Sequence, residues 1–231
     1  MKWLRNQATA QVFTVVVLAV MAARAQAVEH RVEVLNDAPP SGELAAPLAA
    51  LLGGPAFRVL RGESRVVCEV WLNKEWPLPA DAKPPGDVIY PFQPGQLLGV
   101  VRFPRKGADF RDQVIASGIY TLRYGQQPVD GAHVGTSPTR DFLVLIKVSD
   151  DDSLAPLDYK TLITKSAQAA GSKHPLLLSL QRASAEASDA PTLEHREDNE
   201  WFMVNLRGTV RTGDKKEPLP VKLVVVGKAS E

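Results

Sequence analysis

The loop from Gly125 to Arg140 carries the polar residues best suited to chemistry. It offers a carboxylate at Asp130, an imidazole at His133, a hydroxyl at Ser137 and a guanidinium at its last position. Arginine binds carboxylates and phosphates through a planar set of donors, and histidine donates or accepts a proton near neutral pH. We therefore expect Asp130, His133, Ser137 and Arg140 to form the rim of a ligand-binding pocket.

The length of this loop also sets it apart. A hairpin needs only two to five loop residues, whereas the loop from Gly125 to Arg140 has 16. Long loops on a rigid scaffold are often functional, which favours a working surface centred on Arg140. In the alternative interpretation the loop is architectural: its polar side chains bind its own backbone, and Arg140 pairs with Asp112 or Asp141.

Other catalytic and metal-binding patterns are missing from the sequence. The four histidines stand alone, without His-x-His, His-Glu-x-x-His or paired cysteines, so we expect neither a metal nor another cofactor. A zinc site assembled from distant histidines is the remaining alternative. Neither Gly-x-Ser-x-Gly nor a glycine-rich phosphate loop occurs, and no catalytic residue is assigned.

Cys68 and four aromatic residues are expected to pack rather than react. Cys68 is the only cysteine and lies in a strand-like apolar run, which predicts a buried, unreactive thiol, with a catalytic thiol or an intermolecular disulfide as the alternative. Trp71 lies in the same run and is predicted to pack in the core. Trp76, Tyr90 and Phe92 flank a proline-rich loop and are predicted to hold it in place, with stacking on sugars or a proline-rich peptide as the alternative.

The charge balance bears on the class of partner. Lysine and arginine total 27 and the acids total 26, for a net charge of +1. Nucleic-acid binding depends on a concentrated basic surface, so we do not expect nucleic acid as a partner. The expected partner is an unidentified small ligand or another protein.

The first 27 residues have the pattern of a signal peptide. Lys2 and Arg5 precede an apolar run of 12 residues. An Ala-Gln-Ala sequence that ends at Ala27 follows this run. At ~1.5 Å per residue, such a run is too short to cross a bilayer core of ~30 Å. We expect cleavage after Ala27, export to the periplasm or beyond, and no transmembrane segment in the mature chain. An uncleaved membrane anchor is the alternative.

Residues 28–231 are expected to form a single β-rich domain. Short β-type runs alternate with Gly and Pro turns, and three- and four-residue spacing predicts one main helix between Asp158 and Gly171. The continuous apolar run Phe142–Val148 predicts a strand buried on both faces. Eight to ten strands with one main helix predict an antiparallel β-sandwich, immunoglobulin-like or jelly-roll-like.

The segment Ser117-Gly118-Ile119-Tyr120-Thr121-Leu122 resembles the Gly-x-Tyr-x-Leu turn and strand common in exported prealbumin-like β-sandwich modules. The resemblance covers six of 231 residues. It implies the β-sandwich fold class and transfers no functional residue.

Three hypotheses about function follow. The first is a non-enzymatic binding module that uses loops at one end of the sandwich. The second is an exported hydrolase-like enzyme, in which His133 and Asp130 work with an acid from the 76–112 region and converge with Arg140 in a cleft. The third is a structural subunit that pairs with another chain through a long uncovered sheet edge.

Overall fold

The computed structural model describes residues 29–40, 42–130, 137–184 and 188–229. The predicted signal peptide and His133 lie outside these ranges. Within them the chain is mainly β, with thirteen strands and two α-helices. In chain order these are β1 His30–Val34, α1 Ala46–Leu51, β2 Leu52–Arg61, β3 Arg65–Asn73, β4 Trp76–Pro77, β5 Leu97–Phe103, β6 Gly107–Ala108, β7 Val114–Ile115, β8 Gly118–Gln126, β9 Asp141–Lys147, α2 Tyr159–Ala170, β10 Leu176–Gln181, β11 Thr192–Arg196, β12 Trp201–Thr212 and β13 Lys215–Val226.

Eleven of these strands form one large curled mixed sheet, a half-barrel. Its path runs β1-β2-β3-β5-β8-β9-β10-β13-β12-β11, with antiparallel neighbours throughout. The short strand β4 adds a parallel pair to β12, in which Trp76 lies opposite Val210. The first and last strands of the path, β1 and β11, contact each other.

This topology confirms a mainly β fold with one main helix, but it does not confirm the expected sandwich. One continuous hydrogen-bonded path curls around the core, in place of two separate sheets stacked face to face. The ten strands on the path each have at least five residues, within the predicted count of eight to ten. The two-residue strands β4, β6 and β7 and the strand β11 were not predicted.

The main core lies inside the curl, and residues from the proline-rich loop complete it. Trp76, Tyr90 and Phe92 are buried there with Cys68, which confirms that these residues pack in the interior. The Trp76 indole donates to the carbonyl of Leu98 at 2.9 Å. The Tyr90 hydroxyl donates to the Gln181 carbonyl at 2.8 Å, so the loop is tied to β10 across the core.

Two helices cover parts of the outer face. Leu48 of α1 packs with Trp71 of β3, which confirms the packing role of Trp71. Leu162 of α2 packs on Val144 and Ile146 of β9. Because those two side chains face outward and their neighbours face the core, β9 is buried on both faces, as its apolar run predicts.

The ends of α2 agree with the sequence signals. The carboxylate of Asp158 accepts a hydrogen bond from the backbone N–H of Thr161 at 3.0 Å, which satisfies one of the first free donors of the helix. Gly171 ends the helix in the left-handed conformation, with φ of 64°. The main helix is therefore confirmed, and its position fixes one wall of the site described next.

Candidate functional site

Arg140 joins the two ends of the long loop. Strands β8 and β9 pair up to Gln126 and Asp141, so the loop spans residues 127–140. The Arg140 guanidinium donates to the Gln127 carbonyl at 2.8 Å from Nε and 2.6 Å from Nη2. Its Nη1 forms an ion pair with Asp87 at 2.5 Å. The sequence-based alternative paired Arg140 with Asp112 or Asp141 instead.

The second half of the loop rests on β10. The hydroxyl of Ser137 lies 3.3 Å from that of Ser179, and Thr139 donates to the Leu180 carbonyl at 2.5 Å. Ser137 and Arg140 therefore contact different neighbours. Asp130 is exposed at the other side of the loop. With His133 outside the described residues, the proposed binding role of these four residues stays a prediction.

Asp141, next to the loop, is a buried carboxylate with a structural set of partners. It accepts hydrogen bonds from the hydroxyl of Tyr124 at 2.6 Å and from the backbone N–H groups of Ile89 at 3.0 Å and Tyr90 at 3.1 Å. Burial raises the pKa of this carboxyl, and the three donors act in the opposite direction. The group fixes the proline-rich loop over the end of the curl.

A cavity of about 590 Å³ lies on the outer face of the sheet, beside α2. Phe142 and Val144 of β9 and Leu177 of β10 contribute apolar side chains from the sheet. Leu162 and Ile163 contribute them from α2. Phe142, Val144 and Leu162 are buried, so the floor of the cavity is apolar.

The space exists because two separate clusters cover neighbouring parts of β9. Phe110 packs edge-on against Trp201 and beside Phe142, whereas Leu162 covers Val144 further along the strand. Gly125 of β8 lines the gap between them. A Cβ at this glycine would lie 2.6 Å from Cγ2 of Val144, so any larger residue would crowd the cavity floor.

Asp109 fixes the segment that carries Phe110 into the cavity wall. Its buried carboxylate accepts hydrogen bonds from the backbone N–H groups of Arg111 and Gln113 at 2.8 Å and of Leu177 at 3.0 Å, and from the Gln113 amide at 3.0 Å. Burial raises the pKa of Asp109, against the effect of these donors. The carboxylate thus joins the 109–113 segment to β10 through hydrogen bonds to both.

The mouth of the cavity is charged. Arg111, Lys173, His174 and Lys228 all line it and are all exposed. The one acid among the lining residues is Asp112, whose Oδ2 lies 3.6 Å from Nζ of Lys228. The polar groups therefore stand at the opening, above an apolar floor.

No family model, curated protein or solved structure matches this chain. In the part of the chain that the structure describes, no cluster of three or more His, Cys, Asp or Glu side chains could hold a metal ion.

Sequence reasoning did not find this cavity, because its lining comes from segments far apart in the chain. Residues 110–112, 125–128, 173–175 and 228–229 meet only after the sheet has formed. Two local signals do point to it. Gly125 interrupts a β-rich run, and the strand Phe142–Val148 is apolar on both faces, so its outer face needs a cover.

Proposed function

We propose that this chain is an exported binding module that holds a small, largely apolar ligand in the cavity beside α2. The observation that carries the proposal is the cavity itself, with the buried side chains of Phe142, Val144 and Leu162 as its floor. Its volume falls within the range of about 300–1,000 Å³ that small-molecule sites occupy. In this proposal the curled sheet takes the scaffold role that the sequence assigned to a β-sandwich.

Exposed apolar groups beside the cavity support the same function. Tyr159 lines the cavity from the first turn of α2 and is 54% exposed. Val129 follows the lining residue Pro128 and is 80% exposed. A ligand that covers large apolar side chains at the edge of a cavity removes their surface from water, which favours binding.

The cavity also connects the proposal with the long loop. Gln127 and Pro128, at the start of that loop, are lining residues. The Arg140 guanidinium donates two hydrogen bonds to the Gln127 carbonyl and so fixes the backbone of this wall. In this proposal the start of the long loop contributes to binding, while the role of loops in binding, the hydrolase hypothesis and the structural-subunit hypothesis all stay predictions.

A neutral solvatochromic dye such as Nile red tests the binding function. Dye in an apolar cavity fluoresces more strongly and at shorter wavelength than dye in water. We expect saturable binding to the wild-type protein and its loss in Ala229→Phe, which places a ring in the cavity. Ile163→Trp fills the space from α2 and serves as a second, independent variant.

The matched control is Val34→Phe, which adds a ring at an exposed position on β1, outside the cavity lining. This variant should bind the dye as the wild type does. Wild-type protein that does not bind, or two folded cavity-filling variants that bind with unchanged affinity, would refute the proposed function.

Export is the second part of the proposal and rests on the N-terminal sequence pattern. Among the described residues, neither helix has the length and apolar character required to span a bilayer. We expect the protein recovered from the periplasm or the medium to begin at Val28. Its intact mass measures this directly, and a recovered chain that still begins at Met1 would contradict cleavage after Ala27.

A further inference from the structure

We infer that the ligand of this cavity is an anionic amphiphile, with an apolar chain or ring system that ends in a carboxylate. This inference rests on the proposed function and deepens it by naming the ligand class. The apolar part would lie on the floor formed by Phe142, Val144 and Leu162. The carboxylate would lie at the mouth, between Arg111 and Lys173.

The first support is the local charge. The charged residues that line the cavity are three cations, Arg111, Lys173 and Lys228, and one acid, Asp112. Their net charge of +2, with His174 neutral, exceeds the net charge of +1 on the whole chain. Positive charge is thus concentrated at this opening, where it attracts an anionic ligand and repels a cationic one.

The second support is that two of these cations are available. Lys228 is partly neutralised by Asp112 at 3.6 Å. Arg111 and Lys173 form no side-chain hydrogen bond or ion pair with any residue that the structure describes. The carboxylate of Asp109, two residues before Arg111, is buried and already accepts four hydrogen bonds, so it is not a partner for these cations.

The third support is that Gln113 holds the two cation-bearing segments together. Its amide nitrogen donates to the Pro175 carbonyl at 2.8 Å, and its amide oxygen accepts from the Ser172 hydroxyl at 2.7 Å. The segment with Arg111 and the segment with Lys173 are therefore fixed to each other. Two cations on braced segments can bind one carboxylate with less loss of conformational freedom than two cations on independent loops.

Displacement of Nile red by three ligands with the same twelve-carbon chain tests the inference. The ligands are dodecanoate, dodecan-1-ol and dodecylamine, which differ in the charge of the head group. We expect dodecanoate to bind about tenfold more tightly than dodecan-1-ol, equivalent to about 1.4 kcal/mol, with dodecylamine the weakest. Added salt should reduce the preference, because the cations are exposed.

The double variant Arg111→Gln/Lys173→Gln should bring the ratio of dodecanoate to dodecan-1-ol affinity close to one. Lys160→Gln is the matched control, because Lys160 is an exposed cation on α2 that does not line the cavity. It should keep the wild-type ratio. A thermal melt of each variant verifies that it is folded.

The outcomes separate this inference from the proposed function. Equal affinity for the three ligands, or a wild-type ratio in the double variant, would overturn the anionic assignment and leave cavity binding intact. If none of the ligands displaces the dye, and the cavity-filling variants bind dye as the wild type does, the cavity is not the binding site and both proposals fail.

Discussion

Arg123 and Asp151 form an ion pair whose two side chains are both 0% exposed. Nε lies 2.6 Å from Oδ2 and Nη2 lies 2.8 Å from Oδ1, a bidentate arrangement. The remaining arginine donors reach backbone carbonyls, among them those of Gly95 at 2.7 Å and Ala155 at 3.0 Å. The turn after β9, which carries Asp150, Asp151 and Asp152, is thereby fixed to β8, although Asp150 and Asp152 lie nearer the surface.

Replacement of Asp151 by Asn should strongly destabilise the protein. The change leaves the Arg123 charge buried without a counterion, and loss of one partner of such a pair costs about 3–5 kcal/mol. Urea unfolding followed by circular dichroism measures the free energy of unfolding. Asp152→Asn is the control, since Asp152 is exposed and pairs at the surface with Lys165. Similar stability losses in the two variants would contradict the distinct role of the buried pair.

Asp158 should stabilise α2 in a pH-dependent way. The Thr161 hydroxyl donates to its carboxylate at 2.6 Å, and this bond, together with the Thr161 N–H, lowers the pKa of Asp158. A lowered folded-state pKa contributes stability above the unfolded value of about 3.9 and loses it as the pH falls through the folded value.

We therefore expect Asp158→Ala to unfold at a lower temperature than the wild type at neutral pH. The difference should narrow as the pH falls below about 3.9. Asp158→Ser retains a helix-capping hydroxyl that does not titrate, so its melting temperature relative to Asp158→Ala should be insensitive to pH. A gap between wild type and Asp158→Ala that stays constant with pH would disprove this assignment.

Cys68 should resist thiol reagents in the native protein. It is 1% exposed, and burial raises the pKa of its thiol to about 12, so almost no thiolate forms at neutral pH. Labelling by an aromatic disulfide reagent should proceed only as fast as the protein unfolds. A Ser117→Cys variant in a Cys68→Ala background places a thiol at an exposed position and should react at once. Equally rapid labelling of the native wild type would show that Cys68 is accessible.

Arg140→Ala should lower the melting temperature, because the Gln127 carbonyl loses both guanidinium donors and Asp87 loses its ion-pair partner. The backbone bond from the Gln127 N–H to the carbonyl of residue 140, at 2.8 Å, remains. Arg105→Ala removes an exposed arginine from another loop and should leave the melting temperature unchanged. Nile red titration of the same variants tests the binding role that the sequence suggests. Unchanged stability with weakened binding in Arg140→Ala would favour that role over the architectural one.

Local sequence signals predicted the elements whose cause is local. The Asp158 cap and the Gly171 stop delimit α2, and the apolar run of β9 marks a strand covered on both faces. The curl of the sheet depends on pairing between distant segments, which hydrophobic periodicity does not encode. The strand β11 pairs with the neighbouring strand β12, but its sequence Thr-Leu-Glu-His-Arg is mostly polar and gives no apolar alternation. The cavity was missed for the same reason as the curl: Phe110, Leu162 and Lys228 are scattered in sequence and meet only in the folded chain.

The parallel pair between Trp76 and Val210 joins two points separated by more than half of the chain, and the Trp76 ring lies against Gly208. Contacts so distant in sequence form slowly, because the entropy cost of closing a long loop precedes the energy gained from the contact. During synthesis β1 to β5 leave the ribosome long before β12 exists. Until the last hairpin is made, the side chains of β12 and β13 that complete the main core, among them Leu206 and Leu223, are missing. We therefore expect the native core to be completed only when nearly the last residue has been added, and the unfinished chain to expose apolar surface that chaperones recognise.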